Sequence, residues 1–233
     1  MDDLKNYKFF LLIKKDKIIF ALLDKNNEIS FQKELSADKP VKKNNLHLLN
    51  QFLNQNLIYF EKKFKHFVKE INLIIDTDES ISISLSTINS FSYSDDISDN
   101  TLNKLLNLKN DVMKNINNYD LIHMCVEKFI INNKSFSKMP DYNFKENIFL
   151  EINFDLINKD YIKELKNILS KYEILVRRIS NYKYVNLFND NNNDNIFRLT
   201  DKLNNGYNQN EIYFKKSELK ENGIFAKFFN IFT

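Results

Sequence analysis

The sequence predicts a layered α+β (α/β) fold, because short strand-like and longer helix-like apolar patterns follow one another along most of the chain. Apolar residues make up 43% of the 233 residues, which is enough to bury the core of one large or two small domains. Only two glycines occur, Gly206 and Gly223, and neither follows a strand pattern that turns into a helix. Glycine loops that cradle phosphates are therefore not predicted, and we expect a binding or scaffolding protein that is not an enzyme.

The first ninety residues predict a three-stranded antiparallel meander, then a helix and two further strands. Two charged segments, Lys14-Lys15-Asp16 and residues 24–27, separate the first three apolar runs and supply the tight turns between them. From residue 45 to residue 68, apolar side chains recur every three or four positions, as they do on the buried stripe of a helix. The predicted strands cover residues 7–13, 17–23, 28–35, 71–75 and 81–85.

A second module is predicted after the polar segment 92–99, whose serines and aspartates can cap a helix. Residues 147–157 alternate apolar and polar side chains, which predicts a half-buried strand. Asn158 follows as a helix cap, and the next helix presents Leu165 and Leu169 on its apolar face. We expect residues 98–180 to form one compact module packed by that helix, with a further helix over 102–116 and one sheet of strands 121–131, 147–157 and 173–179.

The last part of the chain predicts a linker and a terminal amphipathic helix. The asparagine-rich run 189–195 has nothing to bury, so the folded part is expected to end near it. The apolar residues of the tail share one broad helical face, with Lys227 and Asn230 opposite, which is typical of a helix that lies on an anionic membrane surface. The alternative is a terminal helix docked on the protein's own core. The predicted membrane-binding residues are Ile224, Phe225, Lys227, Phe228, Phe229, Ile231 and Phe232.

One pair of carboxylates has the spacing of a magnesium-dependent phosphatase. Asp76 and Asp78 follow an apolar strand at positions i and i+2, where one aspartate would attack the substrate and both would bind the metal. Those enzymes place a glycine after the second aspartate, and Glu79 occupies that position here. A solvated loop at the end of a strand is therefore the favoured interpretation.

Three residues on one predicted strand have a spacing that metal ligands can use. His123, Cys125 and Glu127 alternate and so share a face, but no fourth ligand is identifiable. A histidine and a cysteine in an apolar strand are more often packed in a core, which is the favoured interpretation. His47 and His66 lie on the predicted helix with no matching nucleophile, and they are assigned no role. No catalytic, cofactor-binding or metal-binding residue is predicted.

Charge and cysteine content limit the partners and the compartment. The 34 basic and 31 acidic side chains give a net charge of +3, which is too weak to predict a nucleic-acid partner. Cys125 is the one cysteine, so no internal disulfide forms and a reducing compartment is indicated. The apolar run of residues 9–13 ends at two lysines, so neither a signal peptide nor a membrane-spanning helix is expected. The protein is expected to be cytoplasmic or peripheral to a membrane.

The order of these segments resembles the FtsA family, bacterial actin-like (ribonuclease H-like) proteins that tether the division ring to the membrane. Residues 9–23 resemble the first two strands of the family, and Ile81-Ser82-Ile83-Ser84-Leu85 resembles the strand before its inserted SHS2-type subdomain. Residues 98–180 resemble that insertion, most specifically at 121–134, Met139-Pro140 and 161–166. The tail resembles the family's membrane-targeting helix. The family's first phosphate loop has no counterpart, since residues 13–17 are Ile-Lys-Lys-Asp-Lys, and ATP binding is not carried over.

This resemblance implies four parts: a first actin-like subdomain (1–91), an SHS2-like module with a return segment (92–188), a polar linker (189–215) and a membrane-targeting tail (216–233). It implies a non-enzymatic adaptor on the inner face of the cytoplasmic membrane that recruits division or envelope-assembly proteins. Self-association is possible, and no cofactor or nucleic-acid partner is implied. The alternative is a cytoplasmic interaction module of a pilus or type II secretion assembly system, in which the tail binds a partner helix.

Overall fold

The computed structural model describes residues 7–37, 46–89, 97–138, 148–189 and 195–212, with the backbone alone described for residues 89 and 97–102. Within these ranges the chain forms two β-sheets and five helices. The elements, in chain order, are β1 (Lys8–Ile13), β2 (Lys17–Leu23), β3 (Ile29–Ser36), α1 (Leu46–Phe64), β4 (Glu70–Ile75), β5 (Ser80–Asn89), α2 (Ile97–Asn115), β6 (Tyr119–Ile131), β7 (Lys134–Phe136), β8 (Ile148–Asn158), α3 (Lys159–Ser170), β9 (Leu175–Asn181), α4 (Tyr182–Asn186) and α5 (Ile196–Asn204).

The first sheet has the strand order β3-β2-β1-β4-β9. β1, β2 and β3 form the predicted antiparallel meander, which is confirmed, while β4 and β9 run parallel to β1. β1 and β2 are apolar at nearly every position because helices cover both faces of this sheet. On one face α1 and α3 bury a large cluster in which the rings of Phe20 and Phe60 stack with centroids 4.4 Å apart. On the other face Phe197 of α5 packs against Phe10.

The second sheet has the strand order β5-β8-β6-β7, and all of its neighbours are antiparallel. The alternation predicted for 147–157 is confirmed, since Ile148, Leu150, Ile152, Phe154 and Leu156 are buried. These side chains form one cluster with residues of α2, including Leu105 and Val112. The helix predicted over 102–116 therefore covers one face of this sheet.

The prediction that α3 and β9 belong to the second module is wrong. β9 pairs with β4 in the first sheet, and Leu165 and Leu169 of α3 are fully buried in the cluster that contains Phe52 of α1. Asn158 caps α3 as predicted, its side chain accepting from the backbone of Asp160 and Tyr161. The local pattern specifies a strand, a helix and a strand, but it carries no information about which sheet the last strand joins, because either sheet could bury the same apolar stripe.

The prediction that the fold ends near residue 189 and that 189–215 is a linker is also wrong for the described part of that range. Asn195 caps α5, and Phe197, Leu199 and Leu203 of α5 are buried. After α5, Gly206 adopts a φ of +87°, which glycine accepts more readily than other residues, and the chain turns back toward the second sheet. The asparagine-rich run 189–195 is short, and the apolar residues after it, among them Phe197 and Leu203, recur with helical spacing. Among the described residues, no helix has the length and apolar content to cross a membrane.

Candidate interaction groove

A groove lies where the first and second sheets meet. β9 forms one edge of the first sheet, and it is in contact with β6 of the second sheet. Between them is a pocket of about 340 Å³ with α3 along one side. We define the interaction groove by the residues that line this pocket, which are Asp120, Leu121, Ile122, Ile162, Lys166, Arg178 and Ile179.

The lining of the interaction groove combines an apolar surface with charges of both signs. Ile122, Ile162 and Ile179 come from three different elements and supply apolar contact. Lys166 is exposed on α3, and Asp120 is half-buried at the start of β6. The volume is at the small end of the range for ligand pockets, so it matches one or two side chains of a larger partner. An apolar centre with a charged rim is the usual composition of a protein–protein contact.

One wall of the interaction groove has an unpaired strand edge. The strand that forms this wall is β6, which has β8 on one side. On its other side β6 pairs with β7 from Phe129 to Ile131. The same side meets the segment 210–212, where Val126 donates to Asn210 O at 3.0 Å and Ile212 donates to Met124 O at 2.8 Å. Among the described residues no strand continues this edge toward Asp120. An open edge beside an apolar pocket is the arrangement that binds an extended peptide by strand addition.

A buried polar network adjoins the interaction groove through Arg178, which lines the groove and contacts Glu211. Glu211, whose side chain is 2% exposed, accepts from Arg178 Nη2 at 3.1 Å and from the Tyr184 hydroxyl at 2.8 Å, and its Oε1 lies 2.8 Å from His123 Nδ1. His123 Nε2 accepts from the backbone N–H of Asn181 at 3.0 Å. The hydrogen of the neutral ring must therefore lie on Nδ1, where it is donated to Glu211. Three donors satisfy this carboxylate, which is what a buried charge requires.

The same network defines what His123 and Cys125 can do. Both ring nitrogens of His123 are occupied, and the ring stacks on Tyr184 with centroids 3.9 Å apart. Burial, and then the negative charge of Glu211, raise the pKa of Cys125 to about 12. This thiol is protonated at neutral pH, so it is poorly suited to attack a substrate or to bind a metal. Burial likewise raises the pKa of Tyr184.

The structure does not bring His123, Cys125 and Glu127 together as one set. His123 and Cys125 are buried, whereas Glu127 is exposed at a strand irregularity between Val126 and Lys128. In the part of the chain that is described, no group of three or more His, Cys, Asp or Glu side chains is arranged to hold a metal ion. Glu211 is not among the residues predicted from the sequence, because it lies in the segment interpreted as a linker. A single glutamate after an asparagine-rich stretch gives no local signal of burial.

Asp76 and Asp78 lie at the carboxyl end of β4, next to the turn between β1 and β2. The backbone N–H of Asp76 donates to Ile13 O at 2.9 Å, and Asp78, 79% exposed, pairs with Lys15 at 2.6 Å. The Nζ atom of Lys14 lies 3.8 Å from the ring centroid of Tyr182. The side chains of this turn therefore contact neighbouring elements of the protein itself. The predicted membrane-binding residues between 224 and 232 lie outside the described residues.

The comparisons with known proteins find matches among solved structures, while no protein-family model and no curated protein matches. The PilM-PilN type IV pilus biogenesis complex matches with a TM-score of 0.50 and 6% identity, over 78% of this chain and 49% of that one. The cytoplasmic domain of EpsL, an inner membrane component of the type II secretion system of Vibrio cholerae, matches with a TM-score of 0.38 and 10% identity, over 77% and 58%. A Bacteroides thetaiotaomicron protein with an actin-like ATPase fold and unknown function matches with a TM-score of 0.33 and 17% identity, over 81% and 58%.

The match to the PilM-PilN complex indicates a shared fold. This chain spans about half the length of the structures that it matches. The predicted mixed α/β fold is confirmed, whereas its actin-like type, the specific relationship to FtsA and the SHS2 character of the second sheet stay predictions. The protein therefore has a mixed α/β fold that it shares with the PilM-PilN type IV pilus biogenesis complex, and it spans about half of the matched chain of that complex.

Proposed function

We propose that this protein is an interaction module of a pilus or type II secretion assembly system, and that it holds a segment of a protein partner in the interaction groove. The observation that carries the proposal is the groove itself, where an open strand edge borders a pocket with an apolar centre and a charged rim. The fold that the chain shares with the PilM-PilN pilus biogenesis complex supports this system over others. Of the two functions that the sequence suggests, this is the alternative to the division adaptor.

The partner segment binds in an extended conformation along β6. Its backbone pairs with the strand edge near Leu121, and an apolar side chain enters the pocket between Ile122 and Ile179. Arg178 is held in place by Glu211 and by the carbonyl oxygen of Asn204, to which Nη1 donates at 3.3 Å. A cation fixed in this way loses little freedom on binding, so it favours a partner with an acidic group near the apolar side chain.

The proposed role is structural and involves no catalysis. The lysines of the β1–β2 turn already contact Tyr182 and Asp78, so a phosphate group would have to displace these contacts. We propose that the protein acts on the inner face of the cytoplasmic membrane, held there by its tail, and that it needs no cofactor and no nucleic acid. The division adaptor of the FtsA type stays a prediction that shares this membrane location and differs in the partner.

Photo-crosslinking in the native cell tests the proposal and identifies the partner. A photoreactive amino acid in place of Lys166 lies on the rim of the interaction groove. The same amino acid in place of Lys163, exposed on the same helix but outside the groove lining, is the matched control. We expect position 166, and not 163, to crosslink to a pilus or secretion component that mass spectrometry identifies. Crosslinks to division proteins at position 166, or equal crosslinks at the two positions, would contradict the proposal.

A further inference from the structure

The strand β5 forms an edge of the second sheet. Its ten residues, Ser80–Asn89, pair with β8 on one side, and within the described residues no strand pairs with its other side. The pairing is continuous from Ser80 opposite Ile157 to Asn89 opposite Ile148, with no register shift. This long, regular edge is the most extended unpaired backbone in the described part of the second sheet.

The hydrogen-bonding groups of this edge can be assigned from one bond. Asn158 donates to the carbonyl oxygen of Glu79 at 2.9 Å, so residue 79 directs its polar backbone groups toward β8. In an antiparallel ladder these directions alternate from residue to residue. The N–H and C=O groups of residues 80, 82, 84, 86 and 88 therefore point to the open side.

The residues of β5 do nothing to block that edge. The strand reads Ser-Ile-Ser-Ile-Ser-Leu-Ser-Thr-Ile-Asn, with no charge, no proline and no glycine. Natural proteins usually protect a strand edge with lysine, proline, a bulge or a covering element. The edge strand β3 of the first sheet has such protection, because it carries Lys33 and Glu34 and pairs with β2 through a register shift. By contrast, none of the residues of β5 opposes pairing along its edge.

We propose that a second copy of this chain pairs with β5 in antiparallel orientation, so that two copies of the second sheet join into one. A two-fold axis at Ser84 pairs Ser84 with its own counterpart and directs the outward backbone groups of both strands at each other. On the face that α2 covers, Ile83 meets Leu85 and Ile81 meets Thr87. These side chains are half-buried in the single chain, and pairing buries them further.

The composition of β5 favours a second copy as the occupant. In a two-fold pairing about Ser84, a charge at or next to the axis would lie close to its own counterpart, and like charges that face each other are destabilising. The strand has none. On the other face Ser82, Ser84 and Ser86 are exposed and meet small neutral side chains of their own kind. The register at Ser84 pairs Ile83 with Leu85, whereas a shift of the axis to Leu85 would place Ile83 opposite Thr87 and Ile81 opposite Asn89.

Sedimentation velocity of the full chain tests the proposal. The protein concentration is varied from about 1 to 100 μM, a range in which weak dimers dissociate. We expect wild type to sediment as a concentration-dependent dimer. Ser84→Lys and Ser84→Asp each place like charges at the axis, and each should raise the dissociation constant at least tenfold. An equimolar mixture of the two variants should associate again, because lysine then faces aspartate. The control Ser84→Thr keeps a neutral strand-forming residue and should dimerise as wild type does.

Three results would overturn the proposal or its register. A wild-type protein that stays monomeric over this range would overturn the proposal, and so would a dimer that neither charged variant weakens. Failure of the mixed variants to associate would overturn the register centred on Ser84. Circular dichroism checks that each variant is folded. Ser84 is exposed and its hydroxyl makes one 3.3 Å contact with Asn153. The double variant Ser82→Lys and Ser86→Lys, which sets lysine opposite lysine in the same register, replaces any Ser84 variant that does not fold.

Discussion

Glu211 Oε1 lies 2.8 Å from His123 Nδ1 although 88 residues separate them, and this contact holds the 205–212 segment against β6. The segment comes from α5, which packs on the first sheet, and it ends at the edge of a strand of the second sheet. The two sheets are therefore joined near the interaction groove by side-chain contacts in addition to the chain itself. Glu211 also positions Arg178, so the same carboxylate shapes the lining of the groove.

Replacing Glu211 with alanine should lower the free energy of unfolding by about 3 kcal/mol, the lower end of the range for breaking a buried charge pair. The lower end applies because Arg178, one of the three donors, is 22% exposed and can turn to solvent. His123 and Tyr184 would keep buried donors without an acceptor. Urea denaturation measures the change. The exposed Glu127→Ala is the matched control, expected to change stability by less than about 0.5 kcal/mol. Equal small effects would mean that the network does not hold the segment in place.

Replacing Leu165 with alanine should lower the free energy of unfolding by roughly 2 to 5 kcal/mol, as truncation of a buried leucine does. Leu165 is fully buried in the cluster between α1, α3 and the first sheet. Lys163→Ala on the exposed face of the same helix should change stability by less than about 0.5 kcal/mol. Thermal or urea unfolding followed by circular dichroism compares the two. A loss below 0.5 kcal/mol for Leu165→Ala would contradict the packing described for α3.

The elements could be predicted from the sequence, but their assembly could not. The strands of the meander, the stripe of α1 and the cap at Asn158 each depend on residues close together in the chain, so local patterns predict them. β9 shows what local patterns cannot predict. Its apolar pattern fits either sheet, and the position of α3 decides which sheet β9 joins. α5 could have been predicted, because Asn195 and the spacing of Phe197 and Leu203 form the pattern of a capped helix. The asparagine-rich run 189–195 directly before α5 was interpreted as the start of a linker, which obscured this signal.

The candidate site was less accessible to sequence reasoning than the fold. His123 and Cys125 stand out as polar residues on an apolar strand, but the partner that explains His123 is 88 residues away. Arg178 lies in a strand pattern in which an arginine usually faces solvent. Its contact with Glu211 forms because β9 lies next to the segment 205–212. A site made by the edges of two sheets depends on their relative placement, which no local spacing encodes.

Stability should fall as the pH rises above 9, and Cys125 should contribute to the fall. Burial raises the pKa of Cys125 from 9.0 to about 12, so between these values the unfolded chain releases a proton that the folded chain keeps. The unfolded state then gains stability by up to about 1.4 kcal/mol per pH unit. Below pH 9 both states hold the proton, and the contribution is constant.

Urea denaturation at pH values from 8 to 10 measures this slope in wild type and in Cys125→Ala. The comparison stops at pH 10 because the buried tyrosines Tyr161 and Tyr184, whose pKa values are also raised by burial, begin to contribute above it. We expect the variant to lose stability with a smaller slope than wild type. Identical slopes would mean that Cys125 ionises as freely in the folded protein as in the unfolded chain.

The protein should show no saturable binding of ATP at micromolar concentrations. The turn between β1 and β2 contains no glycine, and its lysines contact Tyr182 and Asp78. A phosphate group would need backbone N–H groups that this turn does not present in a glycine loop. Titration calorimetry with magnesium and ATP measures the binding, with a glycine-loop ATPase as the positive control. A saturable isotherm would contradict both this prediction and the proposed non-catalytic role.

The tail should hold the protein on anionic membranes, and one substitution tests this against a control of equal charge. Phe228 lies on the apolar face of the predicted tail helix, and Asn230 lies on the opposite face with Lys227. Phe228→Asp removes a buried aromatic ring worth roughly 2 kcal/mol, so binding to anionic vesicles should weaken by more than tenfold. Asn230→Asp adds the same charge on the polar face and should weaken binding much less. Co-sedimentation with vesicles at low and high salt measures both, and salt should weaken wild-type binding through the lysines. If the two variants bind equally well, the apolar face does not enter the membrane, and the tail binds a protein surface instead.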